Sequence, residues 1–158
     1  MPLDIYEIIT LLKKKIKSHN QQQCSIKRPY LHIGEIIEDV RRWKWTPHKI
    51  RKIDSTIAKL RIGHVRLQEY LNKFGMSESP MCLRCNNEER DDVHHYLLNC
   101  AKHQEARTKV VRSLRNLGLN QPTVKDLLGG GEHDEETNHK IINILARYLL
   151  ETDGINFL

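Results

Sequence analysis

The amino-acid sequence predicts an all-α protein. Apolar residues recur every three or four positions in several segments, which is the spacing of an amphipathic helix, and no segment alternates apolar and polar residues over a useful strand length. Three cysteines and one histidine also follow the pattern Cys-x2-Cys-x9-His-x4-Cys, at positions 82, 85, 95 and 100. These observations predict a small helical domain organised around one metal knuckle, with an N-terminal amphipathic helix and a linker before it.

The first predicted element is a basic amphipathic helix over residues 4–18. Asp4 and Glu7 resemble a capping pair at its start. An apolar stripe is formed by Ile5, Ile8, Ile9, Leu12 and Ile16. The opposite face is basic and carries Lys13, Lys14, Lys15 and Lys17. Residues 20–29 are polar and predict a linker. The chain is thus divided into a basic N-terminal helix and linker over residues 1–44 and a helical domain over residues 45–158.

Two helices are predicted between the linker and the first cysteine of the pattern. Thr46 and Pro47 are typical of a helix start, with the hydroxyl as the cap and proline at the first helical position. Gly63 ends this helix, whose apolar positions are Ile50, Ile53, Ile57 and Leu60. Residues 65–74 predict the second helix, and Gly75 is suited to its left-handed cap.

Four helical segments are predicted from residue 91 onward. Residues 91–100 form a short helix that carries His95, and residues 101–117 form a long amphipathic helix. Thr123 caps a short helix over residues 124–128, and a glycine-rich acidic loop leads to a last helix over residues 136–151. The apolar face of the helix over residues 101–117 is formed by Ala106, Val110, Val111 and Leu114. That of the last helix is formed by Ile141, Ile142, Leu145, Leu149 and Leu150.

The cysteine and histidine pattern is a complete ligand set for one tetrahedral Zn²⁺, made of Cys82, Cys85, His95 and Cys100. The first two cysteines fit a short knuckle whose turn brings both sulfurs to one ion. The five-residue step from His95 to Cys100 closes about one helical turn. Three thiolates and one imidazole leave no coordination position open, so the sequence predicts a structural zinc and no hydrolytic centre.

Other interpretations of these residues stay open. Cys82 and Cys85 also fit a redox pair or ordinary buried thiols, although a redox pair usually opens a helix after a strand and nothing strand-like precedes them. His94 is adjacent to His95 and is the alternative imidazole. His95 is favoured because it gives the x4 spacing and leaves the next two residues free to pack. Cys24 has no partner nearby and is expected to be a free thiol.

The charge of the chain is unevenly distributed. The net charge is +6, but residues 1–75 carry 16 Lys and Arg against 7 Asp and Glu, whereas residues 76–158 carry 10 against 13. This asymmetry favours a polyanionic partner for the first half, with a solvated helical surface as the alternative. No apolar run approaches the ~18 residues of a membrane span. The N-terminus lacks the order of a signal peptide, so an intracellular location, nuclear or cytoplasmic, is expected.

Two segments and the metal pattern resemble a known family. Residues 58–64, AKLRIGH, then Leu71 and the Cys-Cys-His-Cys set are similar to the C-terminal segment of non-LTR retrotransposon polyproteins, which follows a reverse transcriptase and often an RNase H domain. Residues 101–107 and 149–154 resemble later parts of that segment, so the resemblance covers residues 45–158. Lys59 and Ile62 depart from the arginine and threonine usual in the family.

The resemblance implies a binding module without its enzymes. The Tyr-x-Asp-Asp motif of a polymerase and the carboxylate quartet of an RNase H are missing from the sequence. The family's tail is expected to bind the RNA of the element or the target DNA. Cations beside the knuckle supply phosphate contacts with little sequence reading, and the candidates are Arg61, His64, Arg66 and Arg84.

A second group of candidate nucleic-acid contacts precedes the helical domain, at Arg41, Arg42, Trp43 and Lys44. Trp43, with Trp45, offers a stacking platform for unpaired bases. Burial of these rings in the core is the alternative for the tryptophans. For His64 the alternative is a local hydrogen bond in a helix-ending turn.

The sequence therefore predicts a non-enzymatic, zinc-stabilised module that binds RNA or DNA. The alternative is a zinc-stabilised helical scaffold that recruits a protein, with residues 132–136 and the lysine-rich first helix as docking charges. A continuous basic groove beside the knuckle would favour nucleic acid. Scattered lysines beside an exposed apolar patch would favour a protein partner.

Overall fold

The structure is a computed structural model that describes residues 14–15, 46–85 and 88–158. Lys14 and Lys15 are helical and exposed, within the predicted N-terminal helix. The remainder of that helix, the linker and several predicted residues lie outside the described residues, namely Cys24, Arg41, Arg42, Trp43, Lys44 and Trp45. The described part contains helices and one isolated antiparallel bridge but no β-strand, so the predicted all-α class is confirmed there.

Six α-helices and two irregular helical turns follow one another from residue 51 to residue 157. They are α1 (Arg51–Ile62), α2 (Gln68–Lys73), a π-helical turn (His95–Asn99), a 3₁₀ turn (Ala101–His103), α3 (Gln104–Arg115), α4 (Val124–Leu127), α5 (Glu135–Glu151) and α6 (Gly154–Phe157). Helix α5 is central, because α3, α4 and α6 all pack against it, and α6 also contacts α1.

The apolar core is built mainly on α5. This helix buries residues around most of its circumference, which are Ile141, Ile142, Ile144, Leu145, Ala146, Tyr148 and Leu149. From α3 it receives Ala106, Val110 and Leu114. The prediction that Leu150 faces the core is wrong, because its side chain is 60% exposed. Tyr148 occupies the inward position instead, since α3 and the π-helical turn both cover that side of α5.

Helix α1 begins four residues later than Thr46 and Pro47 predict. The amide of His48 donates to the Asp54 carboxylate, and the amide of Ile50 donates to Nδ1 of His48. These two bonds satisfy amides before the helix, so its first turn starts at Arg51 with no side-chain cap from residue 46. Ile50 is 56% exposed and is not part of the core face.

The C-terminal end of α1 agrees with its predicted glycine stop. Gly63 has a φ of 74°, and the amides of Gly63 and His64 donate to the carbonyls of Leu60 and Lys59. A positive φ is accessible to glycine without the steric cost that a Cβ would bring. The chain therefore turns sharply after Ile62 and leads Val65 and Leu67 into the core, with Leu67 in an extended conformation.

The two predicted helices that flank the knuckle are shorter than expected. Helix α2 starts at Gln68 because the preceding Leu67 is an extended core residue, and the amides of Gln68 and Glu69 are satisfied by Asp91 instead of by a preceding helical turn. The predicted helix over residues 101–117 is divided into the 3₁₀ turn and α3. Cys100, which precedes the 3₁₀ turn, leaves the helical conformation with a ψ of 118°, and this interrupts the helical path.

The C-terminal helices are fixed by side-chain caps. Thr123 and Asp126 form a reciprocal capping box on α4, and Asp134 caps α5 through the amide of Thr137. Helix α6 was not predicted, and it places Gly154 against the Tyr96 hydroxyl, where a Cβ would collide. Among the described residues, no helix is both long and apolar enough to cross a membrane.

Candidate metal centre

The four predicted metal ligands form one buried cluster. Cys82, Cys85, His95 and Cys100 each expose 9% or less of their surface, and their ligand atoms all lie within 4.8 Å of one another. The Sγ atoms of Cys82 and Cys100 are 4.0 Å apart, and Sγ of Cys85 is 3.3 Å from Nε2 of His95. The sulfurs are too far apart for a disulfide, whose S–S bond is about 2.05 Å.

These separations fit one tetrahedral ion. Zinc–sulfur bonds of about 2.3 Å and zinc–nitrogen bonds of about 2.0 Å at tetrahedral angles place the ligand atoms about 3.5–3.8 Å apart. The two measured separations lie within about half an ångström of that range. The cluster is therefore compatible with one zinc ion held by three cysteines and one histidine, with all four positions taken by the protein.

The first ligand pair is held by a short turn that an antiparallel bridge closes. Met81 and Arg90 form an antiparallel bridge, the amide of Cys82 donates to the carbonyl of Glu89 at 2.8 Å, and the amide of Asp91 donates to the carbonyl of Pro80 at 2.9 Å. The chain between Cys82 and Cys85 bends back within the segment that these hydrogen bonds close. Both sulfurs consequently face the same side, as the x2 spacing predicts.

The second ligand pair is held by the π-helical turn. In this turn the amide of Cys100 donates to the carbonyl of His95 at 2.7 Å, five residues back in the sequence. A five-residue bond places residues i and i+5 one turn apart on the same side of the helix, whereas an α-helix would rotate Cys100 away from His95. The x4 spacing between histidine and cysteine is thus matched by a wider turn than a regular α-helix provides.

Two carboxylates hold His95, one through its imidazole and one through its backbone amide. Its Nδ1 lies 2.7 Å from Oε2 of Glu89, and its amide donates to Oδ1 of Asp92 at 2.7 Å. An ionised carboxylate only accepts, so Nδ1 carries the proton and the lone pair of Nε2 is directed at the sulfurs. His94 is exposed, and the structure brings His95 to the cluster in preference to it.

Burial makes an isolated thiolate unfavourable in this cluster. Desolvation is the main cause that raises the pKa of the Cys82 thiol to about 12, against an ordinary value of 9.0. A divalent cation among three buried sulfurs removes this penalty, because it compensates their charge and favours deprotonation. The donor set is therefore suited to a thiophilic ion such as zinc.

A buried carboxylate connects the metal centre to helix α2. Asp91 is 1% exposed, and its Oδ2 accepts from the amide of Gln68 at 2.9 Å while its Oδ1 accepts from the Arg84 guanidinium. The Arg84 guanidinium also lies 4.8 Å from the centroid of the Phe157 ring. Helix α2, the turn between the cysteines and helix α6 are thus joined through one ion pair.

The candidate nucleic-acid contacts divide according to their exposure. Arg61 is 2% exposed and its Nε donates to the carbonyl of Leu128 at 2.6 Å, so the expectation that it lies on the surface is wrong. This hydrogen bond joins α1 to the end of α4 across the core. Arg84 exposes a quarter of its side chain and is engaged by Asp91 and Phe157. His64 and Arg66 are exposed, and their contact with nucleic acid remains a prediction.

Three carboxylates of the centre were not predicted from the sequence. Glu89, Asp91 and Asp92 orient an imidazole, connect two elements and cap a helical turn, respectively. A run of acidic residues between two zinc-ligand pairs is the only sequence signal that marks them. The three carboxylates have separate roles because the backbone hydrogen bonds of this turn direct their side chains to different sides.

Comparison with known proteins returned no relative. No protein-family profile matches the chain, and no curated protein or solved structure matches it significantly.

Proposed function

We propose that this chain is a zinc-stabilised module that binds RNA or DNA and has no catalytic activity of its own. In this proposal Cys82, Cys85, His95 and Cys100 hold one structural zinc, and the ion contributes folding energy. The cations exposed beside it bind phosphates. The resemblance to the tail of non-LTR retrotransposon polyproteins supports the same function, and it is part of the proposal.

The closed donor set supports a structural role for the metal. All four ligands come from the protein, and the cluster is buried, so water and substrate have no coordination position. The Glu89 carboxylate on His95 is the kind of outer contact that holds a zinc-bound imidazole in one orientation. A zinc in this place joins the turn at residues 82–85 to the helical turn at residues 95–100.

The observation that favours nucleic acid most is the exposed charge of the segment that precedes the centre in the sequence. Residues 46–75 carry seven Lys and Arg against two Asp and Glu, and six of the seven basic residues are exposed. They are Lys49, Arg51, Lys52, Lys59, Arg66 and Lys73. Such a surface attracts a polyanion, and phosphate contacts of this kind weaken steeply as salt rises.

The direct test is binding of the zinc-loaded chain to a fluorescent single-stranded RNA and its DNA equivalent across a salt series. We expect a complex of micromolar affinity or tighter at low salt. The logarithm of its association constant should fall linearly with the logarithm of salt concentration, with a slope of about −0.7 per phosphate contacted.

Matched substitutions separate a specific surface from general basicity. Arg66→Gln removes an exposed cation next to the centre and should lower the salt slope by about one contact. Arg147→Gln removes an exposed cation from α5, outside residues 46–75, and should leave the slope unchanged. Negligible binding of either strand at low salt would exclude the proposed function.

A second candidate function is a protein-interaction scaffold, and one observation favours it. Ile50 and Leu150 are 56% and 60% exposed and line the same open groove, together with Ile155. Exposed apolar side chains gathered in a groove are typical of contact surfaces. Capture of a protein partner that is lost on Leu150→Asp, with no binding of nucleic acid, would support this alternative.

A further inference from the structure

Three aromatic side chains beside the metal centre form a ladder at the surface. The rings of His64 and Tyr70 are stacked, with centroids 5.0 Å apart and an angle of 27° between their planes. The ring of Phe74 follows at 4.7 Å from Tyr70, tilted by 43°. We call His64, Tyr70 and Phe74 the aromatic ladder. It runs from the end of α1 along one side of α2.

The ladder is open to solvent at both of its ends. Phe74 is 62% exposed, His64 is exposed and Tyr70 between them is partly buried. Phe74 contributes little to the core, because a phenylalanine that stabilises a fold by burial usually loses most of its accessible surface. A row of rings that the fold leaves in water has π-faces available to a ligand.

The ladder rests on a short segment that is fixed to the metal centre. Asp91 accepts from the amide of Gln68 at the start of α2, and the carbonyl of Asp91 accepts from the next amide. At the other end of α2, the Asn72 side chain donates to the carbonyl of Ser77 and the Ser77 hydroxyl contacts the Gln68 amide group at 2.6 Å. A platform held at both ends loses little conformational freedom on binding.

Three exposed cations lie on the segment that carries the ladder or pair with it. Arg66 is exposed and has no ion pair with another described residue. Lys73 and Arg90 are 66% and 68% exposed and share a single carboxylate, that of Glu69, at 3.6 and 3.5 Å. Two cations that share one anion leave a net positive charge, so the ladder is flanked by groups that can hold phosphates while a base stacks.

We infer that the aromatic ladder is the stacking site for unpaired bases of a single-stranded nucleic acid, an inference that rests on the proposed function. Every base has a π-face, so rings with cations beside them bind single strands with little dependence on sequence. The rings are exposed at the ends of the ladder, where an unpaired base can extend the stack. A base inside a duplex is already stacked on its neighbours and cannot do so.

The test compares an intact strand with one that lacks bases. The zinc-loaded full chain is titrated with a fluorescent ten-nucleotide oligouridylate, with its deoxy equivalent, and with deoxy strands whose central positions are abasic. Stacking of one base on an aromatic side chain changes affinity by roughly fivefold or more. We expect the unsubstituted protein to bind the intact deoxy strand at least fivefold more tightly than the abasic strand.

Substitutions then locate the preference on the ladder. Phe74→Leu keeps an apolar side chain at an exposed position and should reduce the preference for intact strands without changing the salt slope. His64→Leu, at the other end of the ladder, should reduce the preference independently. Leu150→Ala, on α5, is the matched control because Leu150 is 60% exposed, close to the value for Phe74. It should retain the full preference.

The outcomes distinguish the inference from the function on which it rests. If intact and abasic strands bind equally, or if Phe74→Leu and His64→Leu both keep the preference, the inference is overturned while nucleic-acid binding stands. Equal affinity for a duplex of the same sequence would also overturn it. If no strand binds at low salt, the proposed function fails and the inference fails with it. The comparison of ribose and deoxyribose strands identifies which nucleic acid supplies the bases.

Discussion

The metal centre and the α3–α5 helical core are built from different kinds of residue and depend on different forces. Residues 80–100 contain a short bridge, a non-helical cysteine and a π-helical turn, and they bury three thiols, one imidazole and the carboxylate of Asp91 beside the apolar side chains of Val93, Tyr96 and Leu97. Helices α3 and α5 are regular, and their contact buries aliphatic residues almost exclusively. The first region requires compensation of buried polar groups, whereas the second is stabilised by removal of apolar surface from water.

The two regions meet at the ring of Tyr96. Its hydroxyl contacts Oγ1 of Thr152 at 2.7 Å, and its carbonyl accepts from the hydroxyl of Tyr148 on α5 at 2.6 Å. The rings of Tyr96 and Tyr148 pack edge to face, with centroids 5.5 Å apart. A change in one region is therefore transmitted to the other through Tyr96, next to the ligand His95, and through Arg107 of α3, whose guanidinium donates to the carbonyl of Cys100 at 2.9 Å.

The largest effect should come from the metal. Cys85→Ser, or removal of zinc with a chelator, should unfold residues 80–100 while α3 and α5 stay helical, because structural zinc contributes on the order of 10–16 kcal/mol in small zinc domains. Hydrogen exchange resolved by peptide measures the two regions separately. His94→Ala is the control, since that imidazole is exposed and should leave zinc binding intact. Equal protection of residues 80–100 from hydrogen exchange with and without metal would contradict the idea that this region, unlike the helical core, depends on the metal.

A cavity in the helical core should give the next largest effect, on the other region. Leu149→Ala removes a side chain that is 0% exposed and should lower the free energy of unfolding by about 2–5 kcal/mol. Leu150→Ala, one position along the same helix, should change it by less than about 0.5 kcal/mol. Denaturant unfolding of the zinc-loaded proteins measures both. Zinc stoichiometry should stay at one per chain for each variant, and its loss in Leu149→Ala would show that the regions are not separable.

A smaller effect is expected from the carboxylate that orients the ligand histidine. Glu89→Ala should weaken zinc binding about 10- to 100-fold, because the Nδ1 proton of His95 loses its acceptor. Competition with a chromophoric chelator gives the dissociation constant. Glu88→Ala changes the neighbouring exposed carboxylate and should leave that constant unchanged. Equal affinity for both variants would mean that the cysteines alone position the ion.

The smallest effect concerns His103, in the 3₁₀ turn between the two regions. Burial is the main cause that lowers its pKa to about 4 from an ordinary 6.5, and the charges of Arg84 and Arg107 act in the same direction. The unfolded chain therefore binds a proton at His103 below about pH 6.5, whereas the folded chain binds it only below about pH 4. The free energy of unfolding should therefore fall as the pH drops from 6.5 to 4.

Substitution of His103 isolates this contribution from those of the metal ligands. His103→Gln should make the fall in stability between pH 6.5 and 4 shallower than in the unsubstituted protein, whereas His139→Gln, at an exposed position, should not alter it. The metal ligands contribute equally to all three proteins, so the difference in slope reports His103. Identical slopes would show that this imidazole has the same pKa in the folded and the unfolded chain.

The sequence predicted those features that depend on residues close together in the chain. The helical class, the stop at Gly63, the cap at Thr123 and the inward positions of Ile141 and Leu145 follow from local spacing and capping chemistry, and the structure agrees with each. The four clustered ligands were also predicted, because the turn between Cys82 and Cys85 and the turn from His95 to Cys100 are each within six residues. Local geometry restricts such pairs strongly.

Tertiary structure decided which polar and apolar side chains are buried. Arg61 has the sequence context of a surface cation, yet Leu128, 67 residues later, supplies a carbonyl that holds it in the core. Leu150 fits the apolar stripe of α5 but is exposed, because the helices that cover α5 reach only part of its circumference. Asp91 likewise acquires its position from a distant contact, with the amide of Gln68. Burial is a property of what packs against a side chain, and a single helix does not specify its neighbours.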